Sequence, residues 1–137
     1  MSVAPDERRG GRAPQFALTA VRVLLGLAFL LSGLPKLASP DVIVASFERW
    51  GLPAPELFVP VLGAVEVVVG ALLLLGVATR YVALLLAATM VGAILTAGLI
   101  DGGAHLVTPP ILALLCLLIA GLGGGAWQLG RRDARTR

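Results

Sequence analysis

One cysteine, Cys116, and one histidine, His105, are all the thiol and imidazole in this 137-residue chain. A disulfide needs a pair of cysteines, a Cys-x-x-Cys motif needs two thiols, and a bis-histidine haem needs two imidazoles. The chain therefore brings no ligand set of its own for haem, iron–sulfur or dithiol chemistry, and neither a catalytic cluster nor a metal site is predicted. Charge is also scarce, at 14% of residues, and aromatics are scarcer, at 5%. So little charge excludes a disordered chain, which needs high polarity and net charge. The net charge of +3 and pI near 10.0 invite a nucleic-acid reading. However, the arginines gather at the two ends of the chain without interleaved aromatics, so no nucleic-acid partner is expected.

What the chain has in abundance is apolar surface. The Ala, Val, Ile, Leu, Met, Phe, Trp, Tyr and Cys set makes up 58%, with 17 glycines besides, where a soluble domain holds about 45–50% with glycine included. At 14.1 kDa and a mean hydropathy of +0.94, no soluble packing can hide that surface, because much of any small domain stays exposed. Four runs of membrane-spanning length, Ala17–Leu34, Leu57–Ala78, Tyr81–Ile100 and Leu106–Gly125, predict four transmembrane helices across about 30 Å of hydrocarbon. They lack the alternation of transmembrane strands. The fold class is thus all-α, an integral membrane four-helix bundle of residues 16–128, between an N-terminal tail (1–15) and a basic C-terminal tail (129–137).

The first run is expected to be a retained helix rather than a cleaved signal. It is too long for a signal-peptide core, and Lys36 occupies the place where cleavage before Ser39 needs a small residue. Arg8-Arg9 is followed by Gly10-Gly11-Arg12, which is not a twin-arginine signal. Only Thr79 and Arg80 separate the second and third runs, which must form a tight antiparallel hairpin. Between the first two, Ser39-Pro40-Asp41 reads as an N-cap, a first-turn proline and a first-turn acid, and Gly51, Pro53 and Pro55 end the segment. A short interfacial helix is expected there with Trp50 as its anchor, serving as a connector or as a lid. Arg8, Arg9, Arg12, Arg80, Arg131, Arg132, Arg135 and Arg137 fall on one side of the membrane, and Lys36 and Arg49 on the other. Both termini are therefore expected in the cytoplasm, against its anionic lipid surface.

Polar residues inside the runs follow helical stripes. Arg22, Gly26, Phe29, Gly33 and Lys36 share one face, and Gly63, Glu66, Gly70 and Leu73 share another. Helices in lipid associate through small residues and polar contacts, so these two faces are expected to meet. Weaker stripes run through Thr89, Gly92 and Thr96, and through Pro109, Ala113, Cys116, Ala120 and Gly123. Glu66, near mid-bilayer, is the most informative residue, because an intramembrane charge faces the interior and pairs. Its expected partner is Arg22, either as a structural pair that sets helix register or with Glu66 acting on protons or a ligand. Lys36 snorkels to the outer interface or forms the positive mouth of a cavity. Arg80 is expected to anchor to headgroups. Asp101 and His105 flank Gly102-Gly103 in the outer loop, with His105 a further candidate, and Cys116 is expected to be a packing residue.

The segments Arg22-Val-Leu-Leu-Gly26, Ser32-Gly33-Leu-Pro-Lys36, Phe47-Glu-Arg-Trp-Gly51-Leu-Pro53 and Glu66-Val-Val-Val-Gly70 through Gly76-Val-Ala-Thr79-Arg80 together resemble the DoxX family of small four-helix bacterial membrane proteins, over about Phe16 to Ile119. The resemblance implies a plasma-membrane bundle associated with respiratory or thiol-redox complexes, including quinone-linked oxidoreductases. It singles out Arg22, Lys36, Glu66 and Arg80. Members often carry a histidine near the outer end of the third helix, where this chain has Thr96 and Ala97, its histidine coming later at His105. The leading expectation is an accessory or structural subunit of a larger membrane redox complex, without a cofactor of its own, whose partners are lipids and other membrane subunits or further copies of itself. Two alternatives stand beside it: a small-solute or proton carrier using Glu66 and Arg22, and a quinone-interacting oxidoreductase component; quinone or lipid is the ligand to be expected.

Overall fold

The computed structural model describes residues 12–128. The expected tails at 1–11 and 129–137 lie outside the described residues. Five helices follow in order: α1 (Arg12–Ala38), α2 (Pro40–Arg49), α3 (Pro55–Leu75), α4 (Thr79–Asp101) and α5 (Ala104–Leu122). No strand occurs among the described residues. Four of the helices, all but α2, are long and apolar enough to cross a membrane, in agreement with the sequence. Residues 12–15, placed in the tail by composition, instead extend α1. Pro14 is no obstacle there, because the first turn has no intrahelical acceptor for its missing N–H.

The hairpin between α3 and α4 turns on Gly76, Val77 and Ala78, slightly earlier than Thr79 and Arg80. Gly76 closes α3 at φ 70°. Its N–H bonds Leu73 O and the Val77 N–H bonds Leu72 O, the paired closure that requires a left-handed residue at this position. A Cβ at Gly76 would also collide with the guanidinium of Arg22. Ser39 sits at the N-cap of α2 without a side-chain cap bond, and Pro40 takes the first helical position. Despite Pro109 and Pro110, α5 is unbroken. Within α4, Ile94–Gly98 is wound as a π-helix.

The two glycine stripes do meet. A Cβ on Gly26 would fall 2.9 Å from Gly70 O, and one on Gly33 would fall 2.7 Å from Gly63 O. A step of seven residues up α1 thus matches a step of seven down α3, which fixes an antiparallel register. The side chains that would hold these backbones apart are absent, so the pair approaches closely, as association within lipid requires. α4 packs mainly against α5. Leu25, Phe29, Leu73, Leu86, Cys116 and Ile119 fill the space between the pairs at 2% exposure or less. The buried stripe of α4 runs through Val82, Ala83, Leu86, Ala87 and Met90. The expected stripe of Thr89, Gly92 and Thr96 is not it: Gly92 is exposed and the threonines are half-buried. Outward-facing Leu24, Leu31, Leu95 and Leu114 are each more than 60% exposed, as lipid-facing side chains must be.

Candidate functional site

At the end of the bundle that carries α2, the helices separate around a cavity of about 720 Å³. Among the described residues its one ion pair joins α1 and α3. Lys36 Nζ donates to Glu66 Oε2 at 2.7 Å and to Ser32 O and Ser32 Oγ, each at 2.9 Å. Three donated bonds are the full capacity of an ammonium. The two side chains are 12% and 4% exposed. The second carboxylate oxygen of Glu66 is left as an acceptor on a cavity wall that is otherwise chiefly Phe47, Phe58, Leu62, Met90 and Leu112. Thr89 Oγ1 donates to Leu86 O and Thr96 Oγ1 to Gly92 O, so both hydroxyls use their protons on their own helix and offer lone pairs.

Helix α2 forms the roof. Phe47 is 5% exposed and packs against Trp50 at 5.1 Å and Phe58 at 6.1 Å between ring centroids. Trp50 and His105 meet in a T-shaped arrangement with ring centroids 5.6 Å apart. One oxygen of Asp101, at the end of α4, accepts from both Trp50 Nε1 (2.7 Å) and Arg49 Nη2 (3.0 Å). Of the two roles open for α2, the geometry is that of a lid, latched across the mouth through Asp101.

Three of the five candidate residues, Lys36, Glu66 and His105, therefore line one cavity. Arg22 and Arg80 lie at the opposite end. The expected Glu66–Arg22 pair does not form, and Lys36 does not snorkel away but is the partner of Glu66. The register explains this. Glu66 stands opposite Leu30, roughly eight residues or about 12 Å along the axis from Arg22. Helical side chains lean toward their own N-terminus. On α1 this tilts Lys36 back into the bundle and Arg22 away toward the chain ends, while on the antiparallel α3 it tilts Glu66 toward Lys36. Arg80 is exposed, and Cys116 is fully buried. The reading of the sequence missed the roof contacts of Asp101, because some fifty residues separate it from Arg49 and Trp50 and no local pattern links them.

Comparison with known proteins adds to this geometry. The DoxX family profile matches residues 17–99. The chain belongs to the DoxX family. Among relatives, it is 37% identical over 131 residues to the "Uncharacterized membrane protein Rv3486" of Mycobacterium tuberculosis (strain ATCC 25618 / H37Rv), covering 85% of this chain and 80% of that one. It is also 37% identical over 76 residues to the "Putative oxidoreductase CatD" of Bacillus subtilis (strain 168), covering 56% of this chain and 55% of the other. No solved structure matches. The profile takes in α1 to α4 as far as Leu99, so Arg22, Lys36, Glu66 and Arg80 fall within the family region, while Asp101 and His105 fall beyond it.

Proposed function

We propose that this DoxX-family chain is an accessory, ligand-holding subunit of a membrane oxidoreductase assembly, and that its cavity receives the head ring of a quinone-type molecule. The observation that carries the reading is the Lys36–Glu66 pair, buried at the wall of an apolar, aromatic-roofed cavity. A paired ammonium and carboxylate are together neutral, which disfavours an ionic ligand and suits a neutral, planar one. A quinone ring has carbonyl acceptors for a Lys36 proton released from Ser32. Its quinol form has hydroxyl donors for the free Glu66 oxygen, and its apolar tail is at home in lipid. The volume is in the usual range for a small-molecule site, about 300–1,000 Å³. The oxidoreductase in the name of the Bacillus relative agrees with this assignment.

The arginine bias supports a plasma-membrane orientation with the termini in the cytoplasm, which puts the cavity and its lid on the outer side. The test is thermal unfolding of the purified chain in detergent with a short-chain ubiquinone or menaquinone analogue. Saturable stabilisation is expected, about 2.7 kcal/mol at a hundredfold excess over Kd, and it should vanish in Lys36→Met/Glu66→Leu. No stabilisation, or an equal effect in that double variant, refutes the assignment. Gentle extraction with mass spectrometry of copurifying subunits tests the accessory role.

A further inference from the structure

The end of the bundle opposite the α2 lid has a second concavity, of about 640 Å³, between the start of α4 and the segment that follows α5. Its lining includes Gln15, Thr79, Arg80 and Gln128 and, among the described residues, no acidic one. Thr79 is 5% exposed, and its Oγ1 has no hydrogen-bond partner among the described residues. Behind the wall at Gly76 lies Arg22, 2% exposed, whose Nε and one Nη nitrogen likewise have no partner among the described residues. The N-cap of α4 is Ala78 in the left-handed region, without a side-chain cap and with no acid in the first turn. The first turn of α4 from Ala78 to Tyr81 therefore lines this space, with the Thr79 hydroxyl buried beneath Gly124 and Arg80 exposed at the rim.

Among the described lining residues the one charged side chain is Arg80, and the Thr79 hydroxyl and the amides of Gln15 and Gln128 can all donate as well as accept. A buried guanidinium with idle donors is costly to desolvate, and in a folded protein such donors call for an acceptor. An open helix N-terminus reinforces the same demand, because its N–H groups and dipole favour an anion. Phosphate oxygens suit the α4 N–H groups and the Thr79 hydroxyl at the lining, while Arg22, behind Gly76, supplies charge rather than a direct bond. The glycine run Gly123–Gly125 lets the chain lie close over the site: a Cβ on Gly124 would stand 2.7 Å from the Thr79 methyl, and the Ala126 N–H bonds Thr19 Oγ1 at 3.0 Å.

We infer that this concavity is a binding site for a phosphate group, held by Thr79 and the α4 N-terminus with Arg22 as the buried countercharge. The inference stands independently of the quinone reading, since the two sites share no residue. The phosphate belongs either to a phospholipid headgroup at this interface or to a soluble phosphate compound. The test measures binding to the full-length chain in a non-ionic, phosphate-free detergent, with inorganic phosphate in one arm and short-chain phosphatidylglycerol in the other. Saturable binding is expected in at least one arm: phosphatidylglycerol alone assigns a lipid headgroup, and inorganic phosphate binding as well assigns a soluble source. Arg22→Gln should weaken Kd at least tenfold. Thr79→Val, which removes one hydroxyl at nearly constant volume, should weaken it about fivefold and keeps the test decisive if Arg22→Gln does not fold. Absence of binding in both arms, or an unchanged Kd in Thr79→Val, overturns the inference.

Discussion

Removing the partners of the Lys36–Glu66 pair one at a time should have unequal effects, and the inequality follows from the bonds each keeps. Lys36 donates three bonds, two of them to Ser32, whereas Glu66 has Lys36 as its one partner among the described residues. Lys36→Met therefore strands a carboxylate that is 4% exposed, and breaking a buried pair in this way costs about 3–5 kcal/mol. Glu66→Gln leaves an amide oxygen that still accepts from the ammonium, and Ser32 continues to hold the charge, so the expected loss is about 1–2 kcal/mol. Lys36→Met/Glu66→Leu removes both charges and lines the cavity with apolar side chains. It should lie within about 1 kcal/mol of the unaltered chain, a coupling of several kcal/mol between the two positions. Reversible unfolding in mixed micelles, followed by far-UV circular dichroism, measures all three variants. Equal losses for the two single changes, or additive losses in the double, would show that the pair is not the isolated buried contact described above.

Gly33→Ala and Gly70→Ala each place a Cβ within 3 Å of the facing backbone and should destabilise by about 1–3 kcal/mol, whereas Gly92→Ala and Gly121→Ala enter open space and should be neutral or stabilising by up to about 1 kcal/mol; the same unfolding assay separates the sets. Asp101→Ala removes the common acceptor of Arg49 and Trp50, so in a Trp127→Phe background acrylamide should quench Trp50 fluorescence more strongly, while stability changes little because the contact is solvent-screened. In a Cys116→Ala background, impermeant thiol reagents added outside intact cells should label cysteine at Ser46 and miss cysteine at Ser2 and Thr136; labelling at Ser2 would reverse the orientation.

Hydropathy and helical spacing were sufficient to read four spanning helices, the α2 segment and the meeting of the glycine faces of α1 and α3. These depend on local quantities: the length of an apolar run against the thickness of a bilayer, and side-chain size at intervals of three and four residues. Glu66 was also legible as an interior residue, because a lone carboxylate in an apolar run must turn inward. Its partner was not legible. Arg22 and Lys36 lie on one stripe of α1, and the choice between them depends on the antiparallel register of α3 and on the opposite lean of side chains on opposed helices. The roof was likewise hidden, since Asp101 meets Arg49 and Trp50 only after two spans, α3 and α4, have folded between them. The idle donors of Arg22 and Thr79 are tertiary facts for the same reason. A sequence shows that a polar group is present, but only packing shows which acceptors come within reach and which donors are left without one.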